Sequence, residues 1–226
     1  MRDFGEKLWA PAGSRPHIFL TPGPALTGLC ENVLDEAGPL SAWYPGWPAV
    51  VRAVDRDARH VTLGWVDLPT AAAVPGTWQG LAAALEREVA EIAPVTLTAE
   101  KLVTTSHGVI VTIAATPELN CLADAVEHSM DAVFGAGVRT VTDRSPHLAL
   151  VYGRAHADTP ELSIPIRSTS DTVHSLLLVD HDTFGSGRWN PTTAHSIALT
   201  AQHDTHPPHP GNATGVRPGC AAETEG

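Results

Sequence analysis

Positive charge is scarce: 14 lysines and arginines stand against 25 aspartates and glutamates, a formal net charge of −11 over 226 residues. A protein that grips long nucleic acid needs a positive surface to displace counterions, so long duplex nucleic acid is excluded as a partner. No apolar run approaches the ~20 residues that cross a bilayer, and the opening MRDFGEKLWAPAGSRP lacks the apolar stretch of a secretory signal. A membrane partner is therefore not expected, and a cytoplasmic location is the simplest expectation. The three cysteines, Cys30, Cys121 and Cys220, are widely spaced and odd in number, which suits neither a disulfide framework nor a zinc knuckle. No pair of ligand-type side chains before residue 200 has a recognisable metal-site spacing, so neither a metal nor another cofactor is expected.

What the chain does have is periodicity, and enough length for one large domain or two small lobes. PHIFLT (16–21) reads as a strand. PALTGLCENVLDEA (24–37) reads as a helix that opens on Pro and stops at Gly38-Pro39. After the Pro- and Trp-rich loop SAWYPGWP come a strand at 59–67, a helix at 77–92, and strands at 95–105 and 108–115. A helix at 117–134 follows, with Pro at its first turn and Gly135 at its end, and then strands at 147–152, 172–179 and 195–199. Residues 1–15 read as an N-terminal extension, 16–200 as one domain, and 201–226 as a disordered His- and Pro-rich tail. This order of elements predicts an α+β fold with a largely antiparallel sheet, not a doubly wound one.

Two of the predicted strands are versions of each other. His60-Val61-Thr62-Leu63-Gly64-Trp65 aligns with His147-Leu148-Ala149-Leu150-Val151-Tyr152, 87 residues further on. Strict alternation places His60 and Thr62 on one face of their strand, and Val61, Leu63 and Trp65 on the other. By the same count Trp65 and Tyr152 belong to the packed face as core aromatics. One neutral imidazole can take a proton from an attacking water while a second, protonated, gives one to a leaving alkoxide, and histidine does both near neutral pH. A histidine from each half of the molecule, on opposite sides of one phosphorus, would support in-line displacement without a metal.

The segments HVTL and PHLAL, each on a predicted strand, resemble the paired H-x-T/S motifs of the two-histidine (2H) phosphoesterase superfamily, in its 2′-5′ RNA ligase and cyclic phosphodiesterase branch. The flanking RSPHLALVYG and the C-terminal VHSLLLVDHDTFGSGRWNPTTAHSIAL are similar to that branch as well, so the resemblance runs from about residue 16 to 200. It implies a bilobal fold of two related lobes around a central cleft, and action on a 2′,3′-cyclic phosphate or a 2′-5′ phosphodiester of a nucleotide or RNA end. It implies His60 and His147 as the acid/base pair and Thr62 as the residue that orients the phosphate; a monomer is the separate expectation.

The departure from the pattern is Ala149, where the second motif normally has Thr or Ser. A hydrogen bond to a charged group is worth roughly 1.5–3 kcal/mol, or about ten- to a hundredfold in rate when felt only in the transition state. Ser145, two residues before His147, is the candidate substitute phosphate-binding donor. The rival expectation is a catalytically impaired member of the same fold that binds a nucleotide or phosphate without turning it over. A metal-dependent hydrolase ranks last.

Arg52, Arg56, Arg59, Arg139, Arg144 and Arg154 lie within eight residues of one or other key histidine, interleaved with Asp55, Asp57 and Asp143. Arg144 and Arg154 are candidate substrate contacts. Tyr44 and Trp47, with Trp43, fit either a nucleobase-stacking rim or a cap on the core. His17 reads as structural, His107 as a turn residue, His174 and His195 as strand histidines without an assigned partner, and His203, His206 and His209 as incidental to the tail.

Overall fold

The structure is a computed structural model that describes residues 13–35, 38–43, 47–153, 161–182, 188–189 and 194–200. The proposed tail, nearly all of the N-terminal extension, Tyr44 and Arg154 lie outside the described residues. The first half of the chain runs through β1 (Arg15–Leu20), α1 (Pro24–Leu34), α2 (Pro39–Trp43), α3 (Trp47–Val50), β2 (Val51–Ala53), β3 (Val61–Val66) and α4 (Thr77–Val89). The second half runs through β4 (Val95–Thr104), β5 (Gly108–Ile113), α5 (Pro117–Phe134), β6 (Thr140–Thr142), β7 (His147–Gly153), β8 (Ser163–Val173), β9 (Ser175–Asp182), β10 (Arg188–Trp189) and β11 (His195–Ala198). The fold is α+β. Its strands form a sheet in the order β10-β9-β1-β3-β7-β5-β4-β8, with β11 beside β9, β2 beside β7 and β6 beside β3. All the pairings are antiparallel.

The helices form where the sequence has capping and periodic apolar residues together. α5 opens on Thr116, whose hydroxyl accepts a bond from the Leu119 amide, with Pro117 following. It closes on Gly135 at a φ of 61°, a conformation that glycine adopts without a Cβ penalty. Leu119, Leu122, Val126 and Met130 recur at helical spacing and are buried. The N-terminus of α1 is capped from far along the chain: the Asp171 carboxylate on β8 accepts from the amides of Ala25 (3.2 Å) and Leu26 (2.7 Å).

The sheet is not paired evenly. β3 and β7, the strands of the two repeated segments, are neighbours joined through the single pair Val61↔Leu148, whereas β4 pairs along most of its length with both β5 and β8.

The observed elements differ from the predicted ones in three main places, besides the short strands β2, β6 and β10, which have no predicted counterpart. The loop SAWYPGWP carries helical turns on both sides, in α2 and α3. The strand expected at 172–179 is the junction of two strands, β8 and β9, separated at His174. Most of β8, SIPIRSTSDTV, has no counterpart in the predicted elements. It lies at the sheet edge, pairs with β4 alone in the main order, and is mostly exposed or half-buried. Its alternation therefore never becomes apolar, and it tolerates Pro165 as edge strands do.

Candidate active site

The two repeated strands share an irregularity that the letters alone conceal. Along β1 and β3 the partners are Leu20↔Val61, Phe19↔Thr62, Ile18↔Gly64 and His17↔Trp65, so Leu63 is an inserted residue. Along β5 and β7 they are Thr112↔His147, Val111↔Leu148, Ile110↔Ala149, Val109↔Val151 and Gly108↔Tyr152, so Leu150 is inserted. Each copy thus carries a β-bulge at the same place in its motif, and a bulge resets which face the following residues take. In β3, Val61, Leu63, Gly64 and Val66 are buried while Thr62 and Trp65 are half-buried; β7 repeats this with Leu148, Leu150, Val151 and Gly153 against Ala149 and Tyr152.

This overturns the assignment of Trp65 and Tyr152 to the packed face. The bulge turns both onto the face of the motif histidines. Trp65 stacks on His17 at 6.2 Å and 19°, and Tyr152 lines the cavity described below. α5 packs closely over this bulge: a Cβ at Gly64 would stand 2.8 Å from Met130 Cε, the movable end of its side chain, and 3.0 Å from Val126 Cγ1.

The imidazoles are set alike. His60 Nδ1 donates to the Ala58 carbonyl at 2.8 Å, and His147 Nδ1 donates to the Ser145 carbonyl at 2.8 Å. A carbonyl only accepts, so in each neutral ring the hydrogen sits on Nδ1 and Nε2 is the basic nitrogen. His60 and Thr62 flank Val61 on β3, and His147 and Ala149 flank its partner Leu148 on β7, so all four alternate onto the face opposite that pair. The two histidines are close enough for the charge of His147 to act on His60.

Their surroundings differ. Burial, then His181 and, more weakly, His147, push His60 down to about 3 against the opposing pull of its bond to the Ala58 carbonyl. Phe19 lies 4.5 Å and His181 5.3 Å from the His60 ring, and His181 stands 4.7 Å from His17. Burial, followed by His181, holds His17 well below the ordinary histidine value. His147 instead has the Asp143 carboxylate 3.5 Å from its Nδ1. The other oxygen of Asp143 accepts from the Ser145 amide at 2.8 Å, so one carboxylate both shapes the loop before the second motif and faces its ring.

A cavity of ≈ 690 Å³ opens on the His147 side, lined among others by Lys101, Thr112, Ser145, His147, Ala149 and Tyr152. This is a size usual for small-molecule sites. His60 and Thr62 are not among its lining residues. Arg144 borders it, but its guanidinium is bound by Asp124 (2.6 Å) and by Glu127 on α5. Arg59 pairs with Glu31, and Arg139 lies 6.0 Å over the Trp65 ring. Trp47 packs against the core, its indole nitrogen donating to Ser41 Oγ at 3.0 Å. His195 is tied to Glu86 at 2.8 Å. Among the described residues, no group of three or more His, Cys, Asp or Glu side chains is arranged to hold a metal ion, and no helix is long and apolar enough to cross a membrane.

Four residues enter the site without having been singled out as site residues in the sequence: His181, Asp143, Thr112 and Lys101. For Asp143 the cue was its place four residues before a motif histidine. The other three reach the site through strand pairing, which no local pattern encodes.

No family model and no curated protein matches the sequence. The structure is similar to solved ones. Escherichia coli LigT complexed with ATP is 18% identical with a TM-score of 0.55 over 82% of this chain and 98% of that one. A structure described as a phosphoesterase is 18% identical with a TM-score of 0.56 over 82% and 99%. A Thermus thermophilus protein is 14% identical with a TM-score of 0.52 over 82% and 95%. LigT has also been seen with 3′-AMP, phosphate and NADP+. This chain has the fold of LigT and of that phosphoesterase structure.

Proposed function

We propose that this chain is a metal-independent phosphoesterase that opens a 2′,3′-cyclic phosphate, or cleaves a 2′-5′ phosphodiester, on a nucleotide or RNA end. The observation that carries this reading is the repeated unit itself. Two histidines on neighbouring strands share a bulge, a face and an Nδ1 tether that leaves Nε2 as the basic nitrogen of each. The nucleotides bound to LigT support a nucleotide substrate, and the single pair at the sheet's midline supports two lobes around a cleft.

His60, kept neutral by burial and by His181, is the general base. Its Nε2 takes a proton from water as the water oxygen bonds to phosphorus. His147, with the Asp143 carboxylate as counter-charge at 3.5 Å, is the general acid. Its protonated Nε2 gives a hydrogen to the 3′ oxygen as the bond from phosphorus to that oxygen breaks, leaving a 2′-phosphate. Thr62, on the same face as the two histidines, donates to a non-bridging oxygen. Transfer through positioned imidazoles contributes typically 10²–10⁴-fold each.

The test is steady-state hydrolysis of a 2′,3′-cyclic nucleotide. Turnover should persist in EDTA and fall at least ~10²-fold in His60→Ala and in His147→Ala alike. An aryl phosphodiester separates the roles: its leaving group needs no proton, so it should rescue His147→Ala and not His60→Ala. Ala149 favours a second reading, nucleotide binding without turnover. That reading predicts affinity for 3′-AMP and no product from any cyclic nucleotide.

A further inference from the structure

We propose that Thr112 and Lys101 form the phosphate grip of the second half, replacing the hydroxyl that Ala149 lacks. This rests on the phosphoesterase reading and adds to it two residues outside either motif.

The argument begins with a row of side chains. Thr112 on β5 is the register partner of His147 on β7, and Lys101 on β4 is the register partner of Thr112. Partners in register share a face, and all three residues line the cavity. Neighbouring strands lie ≈ 4.7–4.9 Å apart, so the threonine stands about 5 Å and the lysine about 10 Å from the histidine along the row.

Among the described residues Thr112 Oγ1 has no hydrogen-bond partner, and this buried oxygen belongs to a residue that lines the cavity. Buried hydroxyls nearly always have a partner, and an exception calls for an explanation. Rotation about Cα–Cβ, without backbone movement, turns this oxygen into the cavity, where a non-bridging phosphate oxygen completes it. Ser145 is the weaker substitute: it is exposed, on a loop, whereas Thr112 is fixed by strand pairing on both sides.

Lys101 reaches the row through a third bulge. Ala99 pairs with Ile113, and regular pairing would next place Glu100 opposite Thr112. The register slips by one residue, and Lys101 takes that position instead. The irregularity puts an ammonium next to the threonine, with the Glu100 carboxylate also lining the cavity. Lys101 is exposed, while the neighbouring Arg144 is already engaged by Asp124 and Glu127. A flexible ammonium beside a fixed hydroxyl is a donor set for a phosphate anion.

The experiment uses the full chain with Thr112→Val, Thr112→Ser, Lys101→Gln and the double variant Thr112→Val/Ala149→Thr, each checked for folding by circular dichroism. The readouts are hydrolysis of a 2′,3′-cyclic nucleotide and calorimetric affinity for 3′-AMP. Thr112→Val should lose roughly ten- to a hundredfold in kcat/KM. Thr112→Ser should stay within a few-fold of the parent, and restoring the motif hydroxyl in the double variant should recover at least about tenfold. Lys101→Gln should raise KM and flatten its dependence on salt. Thr112→Val or Lys101→Gln with unchanged kinetics and affinity overturns the proposal, as does a double variant that recovers nothing. If the parent makes no product, the phosphoesterase reading falls by itself, and 3′-AMP affinity decides the grip: weaker binding in Thr112→Val and Lys101→Gln sustains it, equal binding overturns it. Lys101→Gln changes an exposed side chain, so the test survives a Thr112→Val protein that does not fold.

Discussion

His60 is the residue at which environment and chemistry meet most closely. Its ring is packed by Phe19 and His181, and burial with those neighbours holds it at about 3, against roughly 6.5 for the same side chain in an unfolded chain. The unfolded state therefore binds the proton first as pH falls. The contribution of His60 to stability is complete above about 6.5 and is lost progressively between there and about 3, at roughly 1.4 kcal/mol for each pH unit. His17, shifted the same way, adds to the slope. Denaturant midpoints measured from pH 7 to 4 should fall steadily, and His60→Ala should flatten that fall. On the proposed mechanism the same shift keeps His60 unprotonated as the base, so the acid limb of kcat/KM should lie well below the ordinary histidine range, toward about 3. His181→Gln removes a like-charged neighbour and should move the limb upward.

At the scale of the element, the bulges decide what each strand presents. Gly108 sits where Tyr152 is turned toward the cavity, and a Cβ there would lie 2.1 Å from the Val151 carbonyl oxygen. That neighbour is backbone and cannot yield. Gly108→Ala should cost about 1–3 kcal/mol or more, read as a drop in Tm of about 2–4 °C per kcal/mol for a chain of this size. Asp171→Ala should remove the remote cap on α1 at a cost of about 1 kcal/mol.

These elements also mark how far the sequence could be read. The helix over 117–134, the hairpin of β4 and β5 and the repeated strands were legible because capping residues, apolar period and motif coincide there. The bulges left a trace that strict alternation passed over: adjacent buried residues, Leu63-Gly64 and Leu150-Val151, interrupt the pattern in both copies, and glycine inside a strand is itself a bulge signal. β8 was not legible because an edge strand needs little apolar surface. His181, Thr112 and Lys101 were not, because strand order and register depend on distant partners. The motif histidines could be singled out from their spacing, whereas the hydroxyl and the ammonium beside His147 required the sheet.

For the whole molecule, the uneven pairing of the sheet matters most. Among the described residues β2 pairs with β7 alone, while β4 is bonded on both sides. Opening free energies follow such differences in local bonding. Amides of β2 should exchange with deuterium faster than those of Leu97 and Leu102 in β4. A net charge of −11 sets the other molecular constraint. Without a broad positive surface to displace counterions, affinity for an RNA should depend on its terminal phosphate and barely grow with length. Titration of oligonucleotides of increasing length, each ending in a cyclic phosphate, checks this.

The matching bulges describe one unit used twice, but its two copies are furnished differently: His60 is packed by Phe19 and His181, whereas His147 has Asp143 beside it and the methyl of Ala149 where its copy has a hydroxyl. On the proposed function, a ring-shaped ester held between such unequal histidines sits one way round, so a single regioisomer should accumulate when it opens.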